Sequence, residues 1–145
     1  LSDELRSRNI KVTTDYINAI NAWDFDAMAT LLHPEAALVM PYAPEGFPRE
    51  TRGRDAVIDF IRQVPDLIDP ENLHDVVIHG WGDDPDELVA EYKSATRVKA
   101  TGLPYANDYI VRITLADGMI IRFAEYYDPI KLVVAMGGGI TLPTA

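Results

Sequence analysis

The chain contains no cysteine. Disulfides, thiolate catalysis and zinc–thiolate sites are therefore excluded. Basic residues are scarce as well: 13 Lys and Arg stand against 23 Asp and Glu, for a formal charge of −10. A field of that sign repels phosphate backbones and anionic lipid, so neither nucleic acid nor a membrane surface is expected as a partner. No apolar run approaches the roughly 20 residues of a membrane span. The opening Leu1-Ser2-Asp3-Glu4 is acidic and unlike a signal peptide; the missing methionine reads as a processed or trimmed terminus. A cytoplasmic protein is expected. There is no Gly-x-Gly-x-x-Gly, no Walker loop and no Gly-x-Ser-x-Gly. Histidine is limited to His33, His74 and His79, which have no metal-ligand spacing, so no metal is expected.

What is present is an ordinary globular balance, 48% hydrophobic and 25% charged over 145 residues, which suits one domain spanning residues 1–145. Val12, Tyr16, Ala19 and Trp23, with Ile20 beside them, recur at helical spacing and predict a first helix from Ser2 or Asp3. Asp24 is placed to cap a short second helix bearing Ala27, Met28, Leu31 and Leu32, with His33-Pro34 as its stop. Ala36 to Tyr42 reads as a strand, followed by an irregular proline-rich loop containing Tyr42 and Phe47. A third helix follows Gly53, with Val57, Ile58, Ile61 and Val64 on one side and Pro65 as its stop.

From Leu73 the pattern turns to strands: Leu73–Trp81, Glu87–Ala100, Asn107–Leu115 and Met119–Tyr127. A closing helix runs from Asp128-Pro129 to Met136, before Gly137. Helices followed by antiparallel strands imply an α+β fold, three N-terminal helices packed on one face of a curved sheet.

The last hairpin carries the functional reading. Ala116-Asp117-Gly118 suits a three-residue loop that pairs Leu115 with Met119, Val111 with Phe123, Tyr109 with Glu125 and Asn107 with Tyr127. One face then holds Tyr109, Val111, Ile113 and Leu115 opposite Met119, Ile121 and Phe123, and must be buried. Glu125 shares that face. A two-residue loop would point the two apolar faces apart and is rejected. A carboxyl group facing oil raises its pKa or takes a hydrogen-bond partner, and so becomes able to exchange protons near neutrality. The competing reading is a half-wet strand end paired with an arginine.

Tyr42, Phe47, Trp81, Tyr92, Tyr105, Tyr109 and Tyr127 are further candidates to line a pocket, each against plain core packing. Tyr16 and Tyr92 are the preferred donors to a carbonyl oxygen, and Asn107 is placed to orient Glu125. Asp128, before Pro129, is read both as a second acid and as a helix cap.

The segments Tyr16–Asp24, Leu31-Leu32-His33-Pro34, Gly53-Arg54-Asp55, Ala116–Ile120 and Glu125-Tyr126-Tyr127-Asp128-Pro129 resemble, in order and spacing, the SnoaL-like group of the nuclear-transport-factor-2-like superfamily. Polyketide cyclases and ketosteroid isomerases belong to that group. Gly53-Arg54-Asp55, Asp84-Pro85 and Tyr105-Ala106-Asn107 narrow the likeness to the phenazine-biosynthesis A/B proteins.

The resemblance implies a cone-shaped, cystatin-like α+β roll, homodimeric and without a cofactor. It would do acid–base chemistry on a hydrophobic small molecule of secondary metabolism: isomerisation, cyclisation or dehydration. Glu125 falls on the phenazine proteins' pocket acid and Asp128 on the cyclases' aspartate. Phe60 stands where the phenazine proteins have a pocket histidine, which weighs against phenazine chemistry. Leu38–Tyr42 lacks the isomerases' aspartate, and Glu91-Tyr92-Lys93 lacks half of the epoxide hydrolases' Asp-Arg-Asp set. The alternatives to an enzyme are a binding protein or a dimerisation module of the same fold.

Overall fold

Helix α1 (Ser2–Ala22) opens the chain in the computed structural model, which describes Leu1–Ala145. Asp3 and Glu4 in its first turn complement the positive end of the helix. Its inner stripe is Asn9, Thr13, Tyr16, Ile17 and Ile20, two polar residues among apolar ones. Thr13 Oγ1 donates back to the Asn9 carbonyl at 2.9 Å, and Asn9 Nδ2 donates to the Pro85 carbonyl and to Asp86 Oδ1, both at 2.9 Å. Val12 is only half-buried, and Trp23 ends the helix in the left-handed region at φ 53°.

Asp24 caps α2 (Phe25–Leu31), its Oδ1 accepting from the Ala27 N–H at 3.0 Å. His33-Pro34 is not the stop: Leu32 is already extended, and β1 covers Leu32–Val39. Pro34 lies inside the strand, where the register against its neighbour shifts between Leu32 and Ala37. A residue with no N–H is tolerated at such a break. A short edge strand, β2 (Glu50–Arg52), was not foreseen. Helix α3 (Arg54–Ile61) buries Val57, Ile58 and Ile61 as expected. Pro65 does not stop it; it sits in the first turn of α4 (Val64–Leu67), where a missing N–H costs nothing.

The remaining strands are β3 (His74–Gly80), β4 (Glu87–Arg97), β5 (Pro104–Ala116) and β6 (Met119–Tyr127). They join one six-stranded sheet in the order β2-β1-β6-β5-β4-β3. All neighbours are antiparallel except β1 and β6, so the sheet is mixed. Leu88, Ala90, Tyr92 and Ser94 of β4 and Tyr105 through Leu115, alternately, of β5 point into the core against α1 and α3.

The hairpin corrects the expected register. The loop has two residues, Asp117 at φ 54° and Gly118 at φ 73°, and pairs Ala116 with Met119 and Leu115 with Ile120. Two successive left-handed residues match the twist of the flanking strands. Ile121 is then skipped, and the ladder resumes with Thr114 opposite Arg122, Ile113 opposite Phe123 and Val111 opposite Glu125. Ile120, not Met119 or Ile121, is the buried residue after the turn. The one-residue bulge reverses the phase error that the short loop would cause, so Phe123, Glu125 and Tyr127 still face inward. Helix α5 (Pro129–Ala135) closes the end of the sheet, with Ala135 packed on Val98 and Tyr105.

Candidate functional site

Glu125 is the acid that the bulged strand turns into the cone. It stands opposite Val111, between Phe123 and Tyr127 on the inner face of β6. Tyr92, on the inner face of β4, reaches past β5 and donates its hydroxyl proton to Glu125 Oε2 at 2.5 Å. Such a short bond is that of a charge-assisted pair.

A second carboxyl group meets Glu125 there, one the sequence reading passed over. Glu71 lies in the segment between α4 and β3. This segment is tied to β4 at Ala95: the Ala95 N–H donates to the Glu71 carbonyl at 3.0 Å, and the neighbouring Asn72 Nδ2 donates to the Ala95 carbonyl at 2.9 Å. Two residues on, Asn21 of α1 exchanges bonds of 2.7 and 3.0 Å with the backbone of Leu73. These ties aim Glu71 at the cone interior.

Glu71 and Glu125 both line a cavity of about 190 Å³, whose other walls include Phe47, Val98, Tyr105, Tyr109, Tyr127 and Leu132. Both also line a smaller hollow of about 80 Å³ with Tyr16, Leu38, Phe60 and Phe123. The carboxyl pair thus lines both apolar hollows.

Burial sets the electrostatics. Removal from water raises Glu125 to about 7, against the hydrogen bond from Tyr92, which favours its anion. Burial also raises Glu71 to about 8, and the negative charge of Glu125 adds to the effect. Two interacting acids titrate as a pair. Near neutrality the pair keeps at least one proton while Glu125, bonded by Tyr92, is the better placed to be ionised. Burial likewise holds Tyr16, Tyr92, Tyr109 and Tyr127 above the ordinary phenol value and lifts Tyr105 to about 12, so all five are proton donors.

Tyr109 and Tyr105 continue this polar seam. Tyr109 Oη donates to Tyr105 Oη at 3.1 Å and shares a bond of 3.1 Å with Ser94 Oγ. Asn107, fully inside, donates to Tyr105 Oη at 2.8 Å and to the Asp128 carbonyl at 2.9 Å. It therefore ties α5 to the sheet and makes no bond to Glu125.

Among the other candidates, Tyr16 and Phe60 wall the small hollow and Tyr109 and Tyr127 the larger cavity. Three fall elsewhere. Tyr42 is exposed, set edge-on to Tyr126 at 5.5 Å on the outer side. Trp81 is exposed just beyond β3, with the Arg112 guanidinium 4.4 Å from its ring centre. Asp128 is exposed, and its Oδ1 accepts from the Ile130 N–H at 2.9 Å, which is the cap geometry. No three His, Asp or Glu side chains converge where they could hold a metal ion. No helix is long and apolar enough to cross a membrane.

A curved sheet wrapped over helices, with acids and phenols inside, defines a protein of the nuclear-transport-factor-2-like fold. The model of the SnoaL-like domain matches residues 13–123, and the chain belongs to that family. YesE, an uncharacterised protein of Bacillus subtilis, is 32% identical over 115 residues, covering 79% of this chain and 78% of that one. An uncharacterised PhzA/B-like protein of Pseudomonas aeruginosa is 30% identical over 108 residues, covering 74% and 75%. A crystal structure from Bacillus subtilis, provisionally named an isomerase, superposes with a TM-score of 0.84 at 27% identity, covering 94% of this chain and 97% of that one.

Proposed function

We propose that this chain is a cofactor-independent enzyme that moves protons on a hydrophobic carbonyl compound held in the cone. The observation that carries this reading is the pairing of Glu71 and Glu125 in one cavity, both raised into the neutral range by burial. In this scheme ionised Glu125 removes a proton next to the carbonyl group. Protonated Glu71, or one of the phenols beside it, donates to the oxygen as charge develops there. Return of the proton at another carbon gives isomerisation; loss of a hydroxyl group gives dehydration; attack of the enolate on a second carbonyl of the same molecule gives cyclisation. The name of the Bacillus subtilis structure agrees with the first of these.

Exchange of the α-protons of tetralone in heavy water, followed by proton NMR, tests the proton abstraction without a known substrate. The wild type should accelerate exchange, and Glu125→Gln should slow it by roughly two to four orders of magnitude. Exchange that is equally fast in a folded Glu125→Gln protein would reject the role.

A further inference from the structure

We infer that the cone selects against negative charge: its ligand is an uncharged compound, carrying no carboxylate, phosphate or sulfonate group. The inference rests on the cavity being the ligand site, as proposed above, and adds the class of molecule that enters.

The titratable groups facing the hollows come from every element around them, and all of one kind. Helix α1 contributes Tyr16 and α4 contributes Asp66, at the mouth. The segment before β3 adds Glu71, and β6 adds Glu125 and Tyr127. Tyr105 and Tyr109 come from β5, and β4 presents the Tyr92 hydroxyl, spent on Glu125. What α3, α5 and the residue after α5 present is apolar: Phe60, Ile61, Leu132 and Met136. No Lys, Arg or His lines either hollow.

The cations nearby are engaged outside. Lys99 Nζ donates to the Pro65 carbonyl at 2.6 Å, and the Arg97 guanidinium to the Gly102 carbonyl. Arg62 lies 4.8 Å from the ring centre of Phe25, and Lys131 turns to Asp108 at 3.7 Å. An anion entering the cone would lose its water and find carboxyl groups in place of a counter-ion. Phenol donors alone face it, and no positive side chain offsets the desolvation of a full charge. An uncharged carbonyl or hydroxyl compound uses the same hydrogen-bond donors on apolar walls without that cost. The carboxyl pair also makes the exclusion depend on pH, since each proton it releases adds a negative charge to the cavity.

Two probes of nearly equal shape separate charge from size: acetylnaphthalene and naphthoate. Their affinities are read from the NMR shifts of the Glu71, Tyr105 and Tyr109 amides, so that binding elsewhere does not enter. Acetylnaphthalene should bind, with an affinity nearly constant from about pH 6 to about pH 9, and naphthoate should weaken by roughly tenfold or more across the same range. The double variant Glu71→Gln/Glu125→Gln should flatten the naphthoate curve. Naphthoate affinity that matches the ketone's at the alkaline end, or a failure of the ketone to bind, would overturn the inference. Turnover is not used, so this result and that of the exchange experiment can fail separately.

Discussion

The Tyr92 hydroxyl and the Glu125 carboxylate meet at 2.5 Å across the width of β5, joining β4 to β6 inside the cone. The bond favours the ionised acid, so Tyr92 sets how far burial can raise Glu125. Tyr92→Phe keeps the ring and removes the donor. The titration midpoint of Glu125 should then rise above about 7, observed through the side-chain carboxyl carbon by NMR. The acid limb of the activity profile should move to higher pH with it. A buried hydrogen bond to a charged group contributes about 1.5–3 kcal/mol, and that loss should show in denaturant unfolding above the midpoint. A midpoint unchanged in Tyr92→Phe would show that the bond does not tune the acid.

The carboxyl pair should make folding stability fall as pH rises through neutrality. Both acids are raised above the ordinary value of 4.5, Glu125 to about 7 and Glu71 to about 8. Between 4.5 and those values the folded state binds more protons than the unfolded chain, so stability falls with increasing pH. The stabilisation is fully present below the unfolded value and is lost as pH passes the folded ones. The pair amounts to several kcal/mol, with each pKa unit worth about 1.4 kcal/mol. Thermal melts should show Glu71→Gln and Glu125→Gln closing the gap between the wild type's midpoints near pH 6 and pH 9. A wild type equally stable at both ends would contradict the burial argument.

Asp128 should behave as a cap and not as an acid. Its Oδ1 holds the Ile130 N–H at the start of α5, and its side chain lies in the open. Asp128→Ala should cost about 1 kcal/mol in chemical denaturation. Proton exchange on tetralone should stay within a few-fold of wild type. A loss as large as that expected for Glu125→Gln would return Asp128 to the catalytic set.

Much of this molecule was legible locally. The alternation of Leu88, Ala90 and Tyr92, and of Tyr109, Val111 and Ile113, announces a strand face, because side chains on a strand repeat every two residues. Asp24 and Asp128 announce helix starts, because a cap is a contact with the next three residues. The inward face of Glu125 was read correctly from a pairing that was itself wrong. An expected three-residue turn and an actual two-residue turn plus a bulge at Ile121 leave the later residues in the same phase.

Other features depend on partners far along the chain, and no window of residues contains them. Glu71 sits in Asp69-Pro70-Glu71-Asn72, which has the look of a solvent loop; only Ala95, with Asn21 securing Leu73, turns it toward Glu125. Tyr42 and Trp81 are as aromatic as Tyr109, yet lie outside, in loops at strand ends where their rings meet Tyr126 and Arg112. Local patterns of apolar and polar residues could therefore name the first acid and its face. The second acid came only from packing, since buried charge is a property of what surrounds a group and not of the group's own neighbours in sequence.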